Sequence, residues 1–371
     1  MQGKVRLGKR TKELAPLLKP GEIAVICHED LDAVGASGLI EAGVAAVINA
    51  RNSFTCRYPN LGPQLLIDHG IALLDNVGEA IFTKLEDGDV ITIEGRKIIS
   101  CNKVIAVGTV ATEHLIQERR NVAQRNLSKE LDIFVANTLE YAAKEKDAIL
   151  GNHNFPPLNV VLKDKTVVVV VRGLGYKDDL RILSPFIHET KPILVGVDGG
   201  ADALLAFGYK PHLVVGDMDS VSDSALTSGA QILAHAYVNG TCPCANRLEN
   251  LGLDYDQIHI PGTSEDLALL LSHSAGAKLI VLVGSHSNMI DFLEKGRPGM
   301  ASTFLTRLKI GSLLLDAKRV SELYRPGPSV HVFPVVLAAL IPILIFLSQV
   351  SPWRYYLRLF WLQLRLIAGW L

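Results

Sequence analysis

Two short apolar runs near the middle of the chain end in acidic and small residues. Ile193–Val197 runs into Asp198-Gly199-Gly200-Ala201, and Leu213–Val215 runs into Gly216-Asp217-Met218-Asp219-Ser220. Asp217 and Asp219 stand two apart, so both carboxylates can reach one hard cation. Mg²⁺ bridged to substrate phosphates usually takes only one or two carboxylates. Gly199 and Gly200 allow backbone to approach a phosphate closely. Taken singly, each cluster is a common solvated turn. Their recurrence at two successive run ends is what marks a candidate site.

The elements around them place both clusters on one edge. Ala201–Phe207 is a helical pattern closed by Gly208, so strand, helix and strand make a βαβ unit with parallel, buried strands. Ligands of such sheets bind beyond the carboxyl ends of the strands. Upstream, Thr166–Val171 reads as a central strand. It leads through Arg172-Gly173-Leu174-Gly175-Tyr176-Lys177 into a helix over Asp178–Ile187. Gly173 and Gly175 form a Gly-x-Gly phosphate-loop cue, with Lys177 as a phosphate partner. Further strands are expected at Gln231–His235, Gln257–Ile260 and Leu279–Val283, with helices at Ala245–Leu251 and Asp266–Ala275. The alternation predicts an α/β fold with a doubly wound, Rossmann-like sheet. There is no Gly-x-Gly-x-x-Gly dinucleotide fingerprint.

The pairing Val197-Asp198-Gly199-Gly200-Ala201 and Gly216-Asp217-Met218-Asp219-Ser220 resembles thiamin pyrophosphokinase over roughly Thr166 to His286. In that family a later Thr-Asp opens a helix and adds an acidic ligand, and Glu265-Asp266 takes that place here. The resemblance implies ATP and Mg²⁺ as cofactors, with Asp198, Asp217, Asp219 and Asp266 as catalytic residues. It implies Mg²⁺ on Asp217, Asp219 and Asp266, and phosphates on Gly173, Gly175, Lys177, Gly199, Gly200 and Ser220. The family's later Gly-Gly-Arg-x-Asp-His segment has no counterpart after Gly284.

Over the whole chain, HEDLDAVGASGLIEAGVAAVINA, RYPNLGP, GTSEDLALLL, FLEKGRPGMASTFLTRLKIG and the apolar C-terminus resemble the SteA-like family. These bacterial membrane proteins join a pyrophosphokinase-like domain to a C-terminal membrane segment, and in actinobacteria they are linked to the division septum. The resemblance implies a nucleotide or pyrophosphate-bearing ligand, a septal or membrane protein partner, and a location at the cell membrane. An active diphosphotransferase and a non-enzymatic scaffold with a relic pocket are the two alternatives it leaves open.

The first domain, about 1–110, reads as strands at Ile23–Ile26, Ala45–Ile48 and Ile71–Leu74, helices at Leu31–Glu41 and Gly62–His69, and a hairpin over Val90–Ile99. Its order resembles the swivelling phosphohistidine domain, whose reactive His is replaced here by the stretch Arg51–Tyr58. Arg51 and Arg57 are either an anion clamp or surface arginines. The basic start, with Lys4, Arg6, Lys9, Arg10 and Lys12, is either a solvated end or a contact for anionic lipid. It lacks the apolar segment of a secretory signal.

The connector, 111–158, is one long helix or two broken near Asn126-Leu127-Ser128. Its irregular apolar stripe either packs on its own domains or forms a homodimer seam. The second domain spans 159–328. Lys295, Arg297, Arg307 and Lys309 meet phosphates, the membrane surface or water. In the last segment, 329–371, no charge falls between Arg325 and Arg354, and Val332–Val350 is long enough to cross a lipid bilayer in a single pass. Arg354, Arg358 and Arg365 share one face of an amphipathic tail at headgroup depth. Five scattered cysteines suit reduced thiols, so the bulk of the chain is expected on the cytoplasmic side. Cys242-Pro243-Cys244 is a loop or helix start, or a poor metal site. Lys+Arg 37 against Asp+Glu 38 argues against nucleic acid as a partner.

Overall fold

A computed structural model describes residues 1–151, 153–237, 240–285, 289–295, 300–318, 338–343, 345–346 and 351–367. The first half runs β1 (Gln2–Gly8), α1 (Thr11–Leu14), β2 (Ile23–Ile26), α2 (Ala33–Glu41), β3 (Ala46–Asn49), α3 (Gly62–Asp68), β4 (Ala72–Asp75), β5 (Val90–Glu94), β6 (Lys97–Ser100), β7 (Lys103–Val107) and β8 (Thr109–Val110). These strands form one sheet in the order β7-β6-β5-β1-β2-β3-β4-β8. β1 to β4 are parallel, and β5 to β8 join them antiparallel. Apolar clusters cover both faces, as a parallel core requires.

The basic start is not a frayed, solvated end. It is β1, which pairs Val5 with Ile23 on one side and Lys4 with Val90 on the other. Its pattern has period two: Val5 is fully buried, while Lys4 is exposed. Arg6 reaches Glu22 and Asp87 at its edge. The cations masked a strand whose inward positions are apolar.

The connector is a single helix, α4 (Glu113–Leu150), 38 residues long and capped by Thr112. It does not break at Ser128, and within the continuous helix Asn126 donates its amide to the Cys56 carbonyl at 2.8 Å. Ile116 packs into the core of the first sheet, and Ala142 and Ile149 into that of the second.

The second half continues with β9 (Thr166–Val170), α5 (Tyr176–Thr190), β10 (Ile193–Val197), α6 (Gly200–Ala206), β11 (Leu213–Gly216), α7 (Asp223–Leu226), β12 (Gln231–Ala236), α8 (Ala245–Asn250), β13 (Tyr255–His259), α9 (Ser264–Ser274), β14 (Leu279–Val283), α10 (Met289–Lys295), α11 (Met300–Ile310) and β15 (Leu314–Asp316). The strand order is β13-β12-β11-β10-β9-β14-β15, with every pair parallel. The order reverses between β9 and β14, which makes that point the switch of a doubly wound sheet. α9 is buried along Leu267–Ser272 between the sheet, α4 and α11.

Two of the four basic residues near the end of this half turn inward. Lys309 donates to the carbonyls of Ile149 and Gly151 at the end of α4, and Arg307 pairs with Glu265. Arg297 lies outside the described residues. Residues Tyr324–Leu371 form a separate unit. It contains helix α12 (Ser351–Ile367). Most of the expected span, 332–350, lies outside the described residues. Among those described, no helix is long and apolar enough to cross a membrane.

Because β1 is an inner strand, Val5→Ala should lower stability by about 2 kcal/mol, whereas Lys4→Ala should stay within about 0.5 kcal/mol. Urea unfolding of the two variants checks this; equal small effects would return the segment to a frayed end.

Candidate functional site

The carboxyl ends of β9, β10 and β11 adjoin, and the loops leaving them interlock. Asp198, directly after β10, has φ +46, and Met218, after β11, has φ +60. Both are left-handed conformations rare for residues other than glycine. They hold each other: Asp198 N donates to Val215 O at 3.0 Å, and Met218 N donates to the Asp198 carboxylate at 3.2 Å. Gly199 N donates to Ser220 Oγ at 3.2 Å. A Cβ at Gly216 would lie 1.8 Å from Asp198 Oδ1, so the carboxyl rests on bare backbone.

Asp198 keeps some surface as a residue, but its carboxyl group is enclosed. Burial, and then the neighbouring charge of Asp217, push its pKa up to about 7. The two carboxyls are in hydrogen-bond contact. Ser264, in the first turn of α9, donates its hydroxyl to Asp198 and works against that rise. Asp217 is half-buried and accepts Asp219 N at 3.1 Å, while Asp219 is exposed.

The remaining expected residues divide. Gly200 and Gly173 are needed by the fold: a Cβ would meet Val170 O at 1.9 Å in the first case and Gly284 O at 1.9 Å in the second. Gly175 is the left-handed N-cap of α5, with open space around it. Lys177 points at Glu41 of α2, 2.7 Å away. Asp266 is fully buried and works as a cap. Its Oδ2 accepts Thr263 N at 3.0 Å, Ser302 Oγ at 2.9 Å and Thr303 Oγ1 at 3.0 Å. Among the described residues no three His, Cys, Asp or Glu side chains converge on one ion position. Asp217 and Asp219 together suit a cation carried in on phosphates, which needs one or two carboxylates.

Three contributors were not singled out from the sequence. Arg172, after β9, lays its side chain across Gly199, where a Cβ would lie 2.5 Å from its Cδ. Ser264 faces Asp198. Arg247 of α8 donates to the carbonyls of Met218 at 2.8 Å and Val221 at 2.7 Å, fixing the acidic loop. Only the position of Arg172 at a strand end was a signal. In the first half, Arg51 pairs with Glu79 and Arg57 with Glu130, so both arginines already have carboxylate partners.

No family model and no curated protein matches the chain. Part of it is similar to thiamine pyrophosphokinase from Bacillus subtilis, at 19% identity over 41% of this chain and 60% of that one, with a TM-score of 0.26. The match thus spans less than two thirds of that protein's length. Two weaker likenesses are D-lactate dehydrogenase from Escherichia coli, at 14% identity over 82% and 87% of the chains with a TM-score of 0.15, and a D-isomer specific 2-hydroxyacid dehydrogenase from Lactobacillus delbrueckii ssp. bulgaricus, at 8% identity over 85% and 88%, also with a TM-score of 0.15.

The raised Asp198 pKa has a defined consequence. Between 3.8 and about 7 the folded chain keeps a proton that the unfolded chain releases. Stability therefore falls as pH rises through that window. Asp198→Asn removes this contribution, and Asn tolerates a left-handed φ. Thermal unfolding at about pH 5 and about pH 8 should show the variant gaining on the wild type at the higher pH. A constant difference would contradict the enclosed, proton-holding Asp198 carboxyl.

Proposed function

We propose that this chain is a membrane-anchored, SteA-like envelope or division protein whose second sheet binds a nucleotide or another pyrophosphate-bearing small molecule with Mg²⁺. Asp217 and Asp219 would hold the ion against the phosphates, and the ion would neutralise their charge. Arg172, Gly175 and the Gly199–Ser220 turn would line the phosphate side. The observation that carries this reading is the interlock of Asp198 and Asp217 at adjoining strand ends, beside an exposed Asp219 and a guanidinium laid over glycine. Lys177 and Asp266 have other partners and stand outside this set.

The C-terminal segment is the proposed anchor, with the bulk of the chain on the cytoplasmic side of the cell membrane and a septal protein as partner. Support for lipid contact comes from α12, whose Tyr355, Phe360, Trp361 and Leu362 are exposed and whose sequence holds no acidic residue. Aromatic and basic residues on one amphipathic helix suit the headgroup layer.

A second reading is transfer of diphosphate from ATP to a small alcohol. It is favoured by Asp198, since a carboxyl titrating near 7 can take a hydroxyl proton at neutral pH. In that role Asp198 is the base, and Ser264 and Met218 N hold its carboxylate in place.

Asp217→Asn combined with Asp219→Asn should abolish Mg²⁺-dependent ATP binding by isothermal titration and leave the unfolding transition in place. Retained binding would sink the site. Release of AMP with a diphosphorylated product after adding thiamin would decide for the enzyme; binding without turnover would decide for a nucleotide-responsive protein. Removing residues 329–371 should move the chain from the membrane pellet to the supernatant on fractionation. A chain still in the pellet would place the anchor elsewhere.

A further inference from the structure

Cys242-Pro243-Cys244 takes no part in the phosphate site, yet it is joined to it. The two sulfurs are in contact at 3.5 Å. Cys244 is the N-cap residue of α8 and is buried, while Cys242 keeps part of its surface. Both pack in one apolar cluster with Met218 and Val221 of the acidic loop. One turn into α8, Arg247 grips the carbonyls of those same two residues and pairs with Asp223. The guanidinium thus holds backbone on either side of Asp219. A turn of the first residues of α8 would change that grip. Thiols this close need side-chain rotation and a small backbone shift to reach a disulfide bond length of about 2.05 Å. Two buried structural cysteines need neither the exposure of Cys242 nor a direct contact between the sulfurs.

We propose that Cys242 and Cys244 form a reversible thiol–disulfide switch that sets the conformation of the 217–223 loop and, through it, the affinity of the phosphate site. Its effect on affinity rests on the phosphate reading above; its chemistry and its effect on the loop do not. The partner oxidant is a small-molecule disulfide such as oxidised glutathione. The accessible Cys242, as thiolate, attacks one sulfur of that disulfide; a bond forms to Cys242, and one glutathione thiolate leaves. Cys244 then loses its proton and attacks the Cys242 sulfur, and the second glutathione thiolate leaves. Two protein thiols are oxidised by two electrons, the disulfide is reduced to two thiols, and the two protons end on them. Burial, together with the bond to Cys242, pushes the Cys244 thiol up to about 12, so the more accessible Cys242 is the sulfur that attacks first.

The test uses the full chain, reduced or treated with oxidised glutathione, with peptide mapping, amide hydrogen exchange and titration of Mg²⁺-ATP on each sample. The expected result is a Cys242–Cys244 bond reversed by a reducing thiol, faster exchange across 217–223, and an affinity lowered on the order of tenfold. Cys244→Ser should stop at a glutathione adduct on Cys242. Arg247→Gln should give the reduced loop the exchange rate of the oxidised one. Absence of the bond in the folded chain, or a bond with unchanged exchange, overturns the switch. Unchanged affinity in two states that both bind overturns its link to the site. If exchange responds but neither state binds Mg²⁺-ATP, the loop switch is supported and the phosphate reading is the part that fails.

Discussion

The carboxyl edge of the second sheet depends on how closely its loops cross. Three glycines set the spacing: Gly173 against Gly284, Gly200 against Val170, and Gly216 under the Asp198 carboxylate, and at each an added carbon would lie less than 2 Å from a neighbouring oxygen. A methyl at any of them would push neighbouring strand ends apart. The last crossing also encloses a carboxyl group. Removing a carboxylate from water is costly unless donors or a proton compensate it. Here Met218 N and the Ser264 hydroxyl supply part of that compensation, and a proton held up to about pH 7 supplies the rest. The left-handed backbone at Asp198 and Met218 is tolerated because each residue is pinned by the other's loop.

α4 carries the same logic to larger scale. At 1.5 Å per residue its 38 residues span about 57 Å. No single core can bury a helix of that length, and none does. Its first turns belong to the first sheet through Ile116, and its last turns to the second through Ala142 and Ile149. Between them Leu127 packs with Tyr58 and Leu293. The irregular apolar stripe follows from serving different neighbours in succession. Lys309 closes the helix by donating to two carbonyls at its end, groups that helix geometry leaves without partners.

Strands β10, β11 and β14 were legible because each is a run of branched apolar residues stopped by glycine or aspartate. β1 was not, since Lys4 and Arg6 sit on either side of Val5 and hide its alternation. The continuity of α4 was open because Asn126-Leu127-Ser128 reads equally as helix or as a fresh cap. The placement of Asp198, Asp217 and Asp219 just after strand ends was legible from the apolar runs before them. Ser264, Arg172 and Arg247 were not, because their partners lie 24 or more positions away in sequence and are brought to them only by the folded sheet.

Asp266 shows why residue type and place do not suffice. An aspartate in the first turn of a helix at a strand's carboxyl end can bind a cation or cap the helix, and the sequence is the same for both. What separates the two is how many donors the carboxylate already meets. Asp266 Oδ2 meets three, all within 3.0 Å, inside a wholly buried pocket. Its Oδ1 is buried and meets no donor, and a cation at that oxygen would have to shed its water inside a closed core. Asp217 meets one backbone N–H at 3.1 Å and stays half in water, and Asp219 is exposed. Acceptor capacity open to water lies at the loop that Arg247 steadies, and there a cation would gain ligands without breaking the fold.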